Sequence, residues 1–111
     1  QEALTSVLDL INVVPNPYYA FSQYERNKVD NRIKFTNLPE QCTISIYNLS
    51  GKLVNQFKKD NPLTYMDWTL TNKTGIPISS GVYLIHFDVP GVGETTRKAF
   101  IAMRQFDSEG F

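Results

Sequence analysis

The sequence predicts an all-β fold, an antiparallel sandwich of about seven short strands, from three observations. Apolar residues recur at alternate positions in short runs, the period of a half-buried strand. Gly, Pro, Asn and Ser cluster between those runs, at roughly the 8–12-residue spacing of a sandwich. No stretch long enough for a stable helix keeps a helical period. The 111 residues suit one domain and are too few for two ordinary ones.

Val7 to Val14 is an apolar stretch interrupted by Asp9 and Asn12 and ended by Pro15-Asn16-Pro17. Proline removes backbone donors and biases its predecessor towards extended geometry, so this reads as an edge strand leaving its sheet. Arg32 to Thr36 alternates strictly, with Ile33 and Phe35 inward. After a turn at Leu38 to Gln41, Cys42, Ile44 and Ile46 form the next inward face, and Leu49-Ser50-Gly51-Lys52 carries a turn signal. Leu53 to Phe57 then returns as a hairpin partner, with Lys58 to Pro62 as a polar loop. Met66, Trp68 and Leu70 point inward from a further strand, and the lone Trp68 is the natural centre of the core. A turn at Asn72 to Gly75 and a short extended link, Ile76 to Ile78, lead on to Ser80-Gly81.

Val82 to Val89 is the most hydrophobic run, apolar on both parities at first, as a central strand covered on both faces would be. A tight turn at Pro90 to Gly93 precedes the last strand, Thr96 to Arg104, with Ala99, Ile101 and Met103 on one side. The core thus covers about residues 7–104 of a single domain spanning 1–111, with an acidic, frayed tail at 105–111. The start, Gln1-Glu2-Ala3, reads as a boundary inside a longer polypeptide. The Cys–Trp–Cys pattern of antibody domains is missing, but an immunoglobulin-like topology remains compatible with this strand pattern.

The residues offer little for catalysis. Eleven basic and eleven acidic side chains cancel, which removes any general attraction for nucleic acid or an anionic membrane. No apolar run is long enough to span a membrane. Cys42 is the only cysteine, so no internal disulfide forms, and its place in an alternating strand makes it a small core hydrophobe. The only histidine, His86, reads as a strand residue near a sheet edge rather than a catalytic base. No spacing of His, Cys or carboxylates matches a zinc or calcium site, so no metal and no cofactor is expected, and the chain is not read as an enzyme. Asn48-Leu49-Ser50 and Asn72-Lys73-Thr74 match the N-glycosylation pattern, a match that arises often by chance. Tyr18, Tyr19, Phe21 and Tyr24 crowd the segment after the prolines. Aromatics in a loop must cover something, either the open end of the sandwich or a partner, protein or sugar.

Several landmarks fall in a set order. Val14-Pro15-Asn16-Pro17 is followed by Phe35-Thr36-Asn37-Leu38-Pro39 and by Ile44 to Val54 with its Gly51 turn. Asp67-Trp68-Thr69-Leu70, Ser80-Gly81-Val82-Tyr83-Leu84 and Lys98 complete the series. In this order the chain resembles the immunoglobulin-like C-terminal sorting domains of the type IX secretion system of Bacteroidetes-type bacteria, and the related domain of flagellar hook-capping proteins. The resemblance covers roughly residues 11–104. It implies recognition positions at Pro15, Asn16, Pro17, Gly51, Gly81, Val82, Tyr83 and Lys98. The implied partners are the secretion translocon, an outer-membrane shuttle, a sortase and a parent cargo protein in cis. The implied location is the periplasm in transit, then the outer membrane, cell surface or medium. The chain also continues past its last strand and carries a long insertion, Tyr18 to Asn31. Those features suit a retained structural, adhesive or signalling adaptor, and the aromatic cluster admits a carbohydrate-binding module.

Overall fold

The computed structural model describes residues 7–19 and 32–103. They form eight strands: β1 (Asn12–Val14), β2 (Tyr18–Tyr19), β3 (Ile33–Thr36), β4 (Gln41–Asn48), β5 (Leu53–Asp60), β6 (Tyr65–Trp68), β7 (Gly81–Val89) and β8 (Gly93–Ala102). A small sheet runs β1-β3-β6 and a large one runs β2-β8-β7-β4-β5. Seven strands pair antiparallel, and the two-residue β2 lies parallel to β8. This is the expected sandwich.

The two sheets meet along a row of aromatic rings. Phe35 from β3 stacks on Trp68 from β6 with centroids 6.4 Å apart. From the large sheet, Phe87 meets Phe35 edge-on at 5.6 Å and Tyr83 meets Trp68 edge-on at 6.4 Å. Such arrangements add roughly 0.5–1.5 kcal/mol per pair beyond area burial, because each positive ring edge faces a negative ring face. Ile33, Ile44, Ile46, Leu70 and Ile85 fill the remaining space and are fully buried. Trp68 is the buried core centre that the sequence predicts, although it is the last residue of β6 rather than mid-strand, and its indole N–H donates to the Thr71 carbonyl at 2.9 Å.

Five expectations change. Residues 7–10 form a single helical turn rather than strand, which buries Leu8 and then Ile11 at helical spacing before β1 begins. Leu70 is buried as predicted, but β6 ends at Trp68 and Leu70 turns the chain with φ of 61°. β7 is central in the order of strands but buried on one face only: Tyr83, Ile85, Phe87 and Val89 point into the core, and Val82, Leu84 and His86 are half-exposed. His86 therefore sits mid-sheet on the outer face, where its Nε2 meets Glu94 Oε1 at 2.6 Å, and not near an edge. Fifth, β5 continues through the expected polar loop as far as Asp60.

Lys59 explains that extension. Its side chain points inward from an edge strand, is 3% exposed, and lies opposite Cys42 in the β4–β5 ladder. Its ammonium donates to the carbonyls of Asn61 at 2.7 Å, Pro39 at 2.8 Å and Glu40 at 3.2 Å. Three donors meet three acceptors, so the charge is solvated by backbone in place of water. An inward charge on an edge strand also discourages pairing with a second sheet. Further along this edge, the Gln56 amide donates to the Asn55 side chain at 2.8 Å and the Val54 carbonyl accepts from Lys73 at 3.1 Å. The outer edge of β5 is thus occupied over its first half and guarded by a buried cation over its second.

Two outcomes follow from this row. Lys59→Ala leaves three carbonyls without their donor, so urea denaturation should show a loss of about 1–3 kcal/mol. Sedimentation should show self-association in that variant, and an unchanged midpoint would refute the capping role. Burial pushes the Cys42 thiol above its ordinary 9.0, the Lys59 ammonium opposes the shift, and Asp88 adds to it. The unfolded chain therefore ionises first, so this contribution to stability is intact below pH 9.0 and is lost as pH rises towards the folded value. The difference in unfolding free energy between the native chain and Cys42→Ala should shrink above that pH.

Candidate functional site

The motif residues are scattered through the sequence but gather at one end of the large sheet. β7 starts there with Gly81, whose partner on β8 is Ile101, while Val82 faces Phe100, Tyr83 faces Ala99 and Leu84 faces Lys98. β4 ends at the same place, since Asn48 pairs with Tyr83, and the Gly51 turn leaves from it. The Pro15-Asn16-Pro17 segment arrives from β1 in the small sheet and crosses to β8 in the large one. Pro17, Gly81, Phe100, Ile101 and Ala102 line one shallow depression of about 150 Å³.

Asn16 makes the crossing. Its side-chain amide donates to the Lys98 carbonyl at 2.8 Å and its oxygen accepts from the Phe100 amide at 3.1 Å. A carboxamide presents an N–H donor and an oxygen acceptor in one plane, as a peptide group does. Asn16 therefore acts as one residue of an extra strand, satisfying the β8 edge just before β2 pairs with Ile101 and Ala102. The flanking prolines have no N–H to offer that edge. The link between Asn16 and Lys98 runs through the Lys98 backbone, and the Lys98 ammonium remains exposed, 5.9 Å from the Phe100 ring centroid.

The rest of the N-terminal segment follows the same edge. Arg97 on β8 donates to the carbonyls of Ile11 at 3.0 Å, Leu8 at 3.1 Å and Asp9 at 3.4 Å, closing the C-terminal end of the helical turn. Further back, a methyl group added at Gly93 would lie 3.3 Å from Leu8 Cδ1. At the far end, Ser80 Oγ accepts from the Met103 amide at 2.8 Å and continues the pairing past β8.

Two turns border this end and are copies of one another. Asn48-Leu49-Ser50-Gly51-Lys52 and Asn72-Lys73-Thr74-Gly75-Ile76 share the pattern Asn-x-Ser/Thr-Gly-x. In the first, Asn48 Oδ1 accepts from Ser50 N, Ser50 Oγ and Lys52 N at 2.8–3.0 Å. In the second, Asn72 Oδ1 accepts from Thr74 N, Thr74 Oγ1 and Ile76 N at 2.9–3.0 Å. Each glycine bends the chain with φ near 90°, 88° at Gly51 and 85° at Gly75, a region where a side chain is strained. The sequons noted in the sequence are turn signatures, and both asparagine oxygens hold a loop together. A scan for two matches to one five-residue turn pattern would have found the repeat.

The aromatic cluster falls only partly within the described residues. Tyr18, expected as partner surface, is 7% exposed and belongs to the core, so that expectation is corrected: β2 turns its ring inward as it joins β8. Tyr19 lies in β2, and the side chain of Tyr19, with Phe21 and Tyr24, lies outside the described residues. Of the motif residues, Tyr83 is buried and its hydroxyl donates to the Ser79 carbonyl at 2.7 Å. Pro15, Asn16, Pro17, Gly51, Gly81 and Lys98 are exposed and Val82 is half-buried. Cys42 and His86 lie on opposite faces of the large sheet, one in the core and one outside, and do not meet.

No protein-family model matches the sequence, and no curated protein matches it. Solved structures do. The fold is similar to part of PorZ, an essential bacterial surface component of the type-IX secretion system of Porphyromonas gingivalis, with a TM-score of 0.68 and 23% identity. That match covers 86% of this chain and 12% of PorZ. It is also similar to part of dimeric latent PorU from the same organism, with a TM-score of 0.57 and 24% identity, over 85% of this chain and 9% of that one. The chain thus corresponds to a small portion of each. These likenesses show a shared sandwich fold.

Asn16→Ala removes both contacts to β8 and should cost about 1–2 kcal/mol, since two hydrogen bonds to an exposed edge are lost. Hydrogen exchange at the Phe100 amide should accelerate to the rate of an open edge. Retained protection there would show that Asn16 is not the closing group.

Proposed function

We propose that this domain has a type IX secretion-related role, as a non-catalytic recognition module through which the export apparatus handles a larger protein. The observation that carries this reading is the convergence of the motif residues, distant in sequence, at one end of a sandwich whose fold is also found within PorZ. A recognition signal must be read as a surface, and this end presents Pro15, Asn16, Pro17, the Gly51 turn, Gly81 and Lys98 together and exposed. The partners on this reading are the secretion translocon, an outer-membrane shuttle and a sortase, and the destination is the cell surface or the medium. The large sheet has little backbone to lend, because the N-terminal segment follows its β8 edge and β5 is guarded by Lys59. Recognition therefore rests on side chains and turns rather than on strand addition. The adhesive alternative is weakened by the burial of Tyr18, one of its four candidate anchors.

The test is export of a reporter. Residues 1–111 are fused behind a periplasmic reporter in a host with a working type IX system. Reporter should reach the cell surface or medium in that host and remain periplasmic in a strain lacking the system. If it stays inside while an established sorting domain exports the same reporter, the reading fails.

A further inference from the structure

Between the two copied turns lies a cleft of about 330 Å³, near the lower end of volumes that hold ligands, roughly 300–1,000 Å³. Its apolar lining comes from Leu53 and Val54 at the start of β5, Ile78 in the link, and Tyr83. Lys52 from the first turn and Lys73 from the second line it too, with the hydroxyl-bearing Thr74 and Ser79.

The walls are fixed to each other before any ligand arrives. Lys73 N donates to the Val54 carbonyl at 3.1 Å, Ile78 N to the Leu70 carbonyl at 3.1 Å, and Tyr83 Oη to the Ser79 carbonyl at 2.7 Å. Asn55 Nδ2 donates to Thr71 O at 2.9 Å, tying the base of the second turn to β5. A preformed cleft spends little binding energy on ordering itself.

Both lysines are exposed, and among the described residues neither is within ion-pair distance of a carboxylate. Among the described residues, no acidic side chain lines the cleft. The chain as a whole is neutral, so these two cations form a local feature and not part of a general basic field. Strand addition is closed off here, because the Val54 carbonyl and Gln56 amide of β5 are already engaged. An occupant must offer an apolar group for Leu53, Val54 and Ile78 and negative charges on either side of it.

We infer that the cleft between the Gly51 and Gly75 turns is a binding site for an extended acidic peptide segment with an aliphatic side chain at its centre. The cleft shares the Gly51 turn and Tyr83 with the export reading, but the inference does not rest on that reading and can be tested without secretion.

The test uses the 111-residue chain labelled with ¹⁵N and the capped peptide Glu-Glu-Ile-Glu-Glu, followed by amide shifts. Shifts should concentrate at residues 52–54, 72–74 and 78–79, and weaken as salt is raised. The double variant K52E/K73E should bind about tenfold more weakly, as two exposed attractions become repulsions. Its own amide spectrum shows whether it remains folded. The peptide Glu-Glu-Gly-Glu-Glu should bind more weakly than the isoleucine form, because the apolar floor is left uncovered. Equal binding of the two peptides would reduce the cleft to two surface lysines and overturn the inference. So would shifts centred elsewhere, unchanged affinity in the folded double variant, or no shift at millimolar peptide. Failure here would leave the export assay untouched, and failed export would leave these shifts in place.

Discussion

Every open sheet has two edges whose peptide groups need partners, and the architecture of this chain is organised around that requirement. On the β8 side the answer is a sequence of unlike devices laid end to end: Leu8 against Gly93, Arg97 on the helical carbonyls, Asn16 on Lys98 and Phe100, then β2. Because the same segment also supplies β1 to the small sheet, it joins the two layers while covering the edge. The β5 side solves the problem differently, with a buried cation and a side-chain cap. Neither solution leaves a long flat edge for another chain to extend.

How legible this was depends on the kind of interaction. Alternation located Ile33, Phe35, Cys42, Ile44, Ile46, Ala99 and Ile101 in the core, because period two maps directly onto which face a residue occupies. It misplaced the end of β5, since a lysine reads as polar by composition and nothing local reveals three carbonyls waiting from a neighbouring loop. It missed the helical turn at residues 7–10 because one turn is too short to show a period. It overestimated the cover on β7, where Val82 and Leu84 suggested a second buried face that the structure does not have.

The candidate site was legible in part and for a different reason. Pro15-Asn16-Pro17, Gly81-Val82-Tyr83 and Lys98 could be named from their order, yet their proximity depends on β7–β8 register and on one asparagine side chain, which no local pattern encodes. Several of them also have work to do inside the fold. Tyr83 is a core ring, Asn16 closes an edge, and Gly51 permits a tight turn. Their shared order is therefore first a signature of this sandwich, in keeping with the fold likeness to parts of PorZ and PorU. The cleft was not legible as a site: Lys52, Leu53, Val54 and Tyr83 stand among the ordered landmarks, but its lining is assembled from two turns, β5, a link and β7, which no local pattern brings together.

The Thr71 carbonyl accepts from two donors, the Trp68 indole and the Asn55 carboxamide. Trp68 is the chain's single tryptophan, so one fluorophore sits a single shared oxygen away from the edge strand that forms one wall of the cleft. Its emission is an internal optical probe with no label attached. Loss of the aromatic row would expose the indole to water and shift its emission to the red, whereas a rearrangement at β5 that leaves the core intact would act on the indole only through the shared Thr71 carbonyl. One side chain is thereby placed to register both disturbance of the centre and disturbance of the rim.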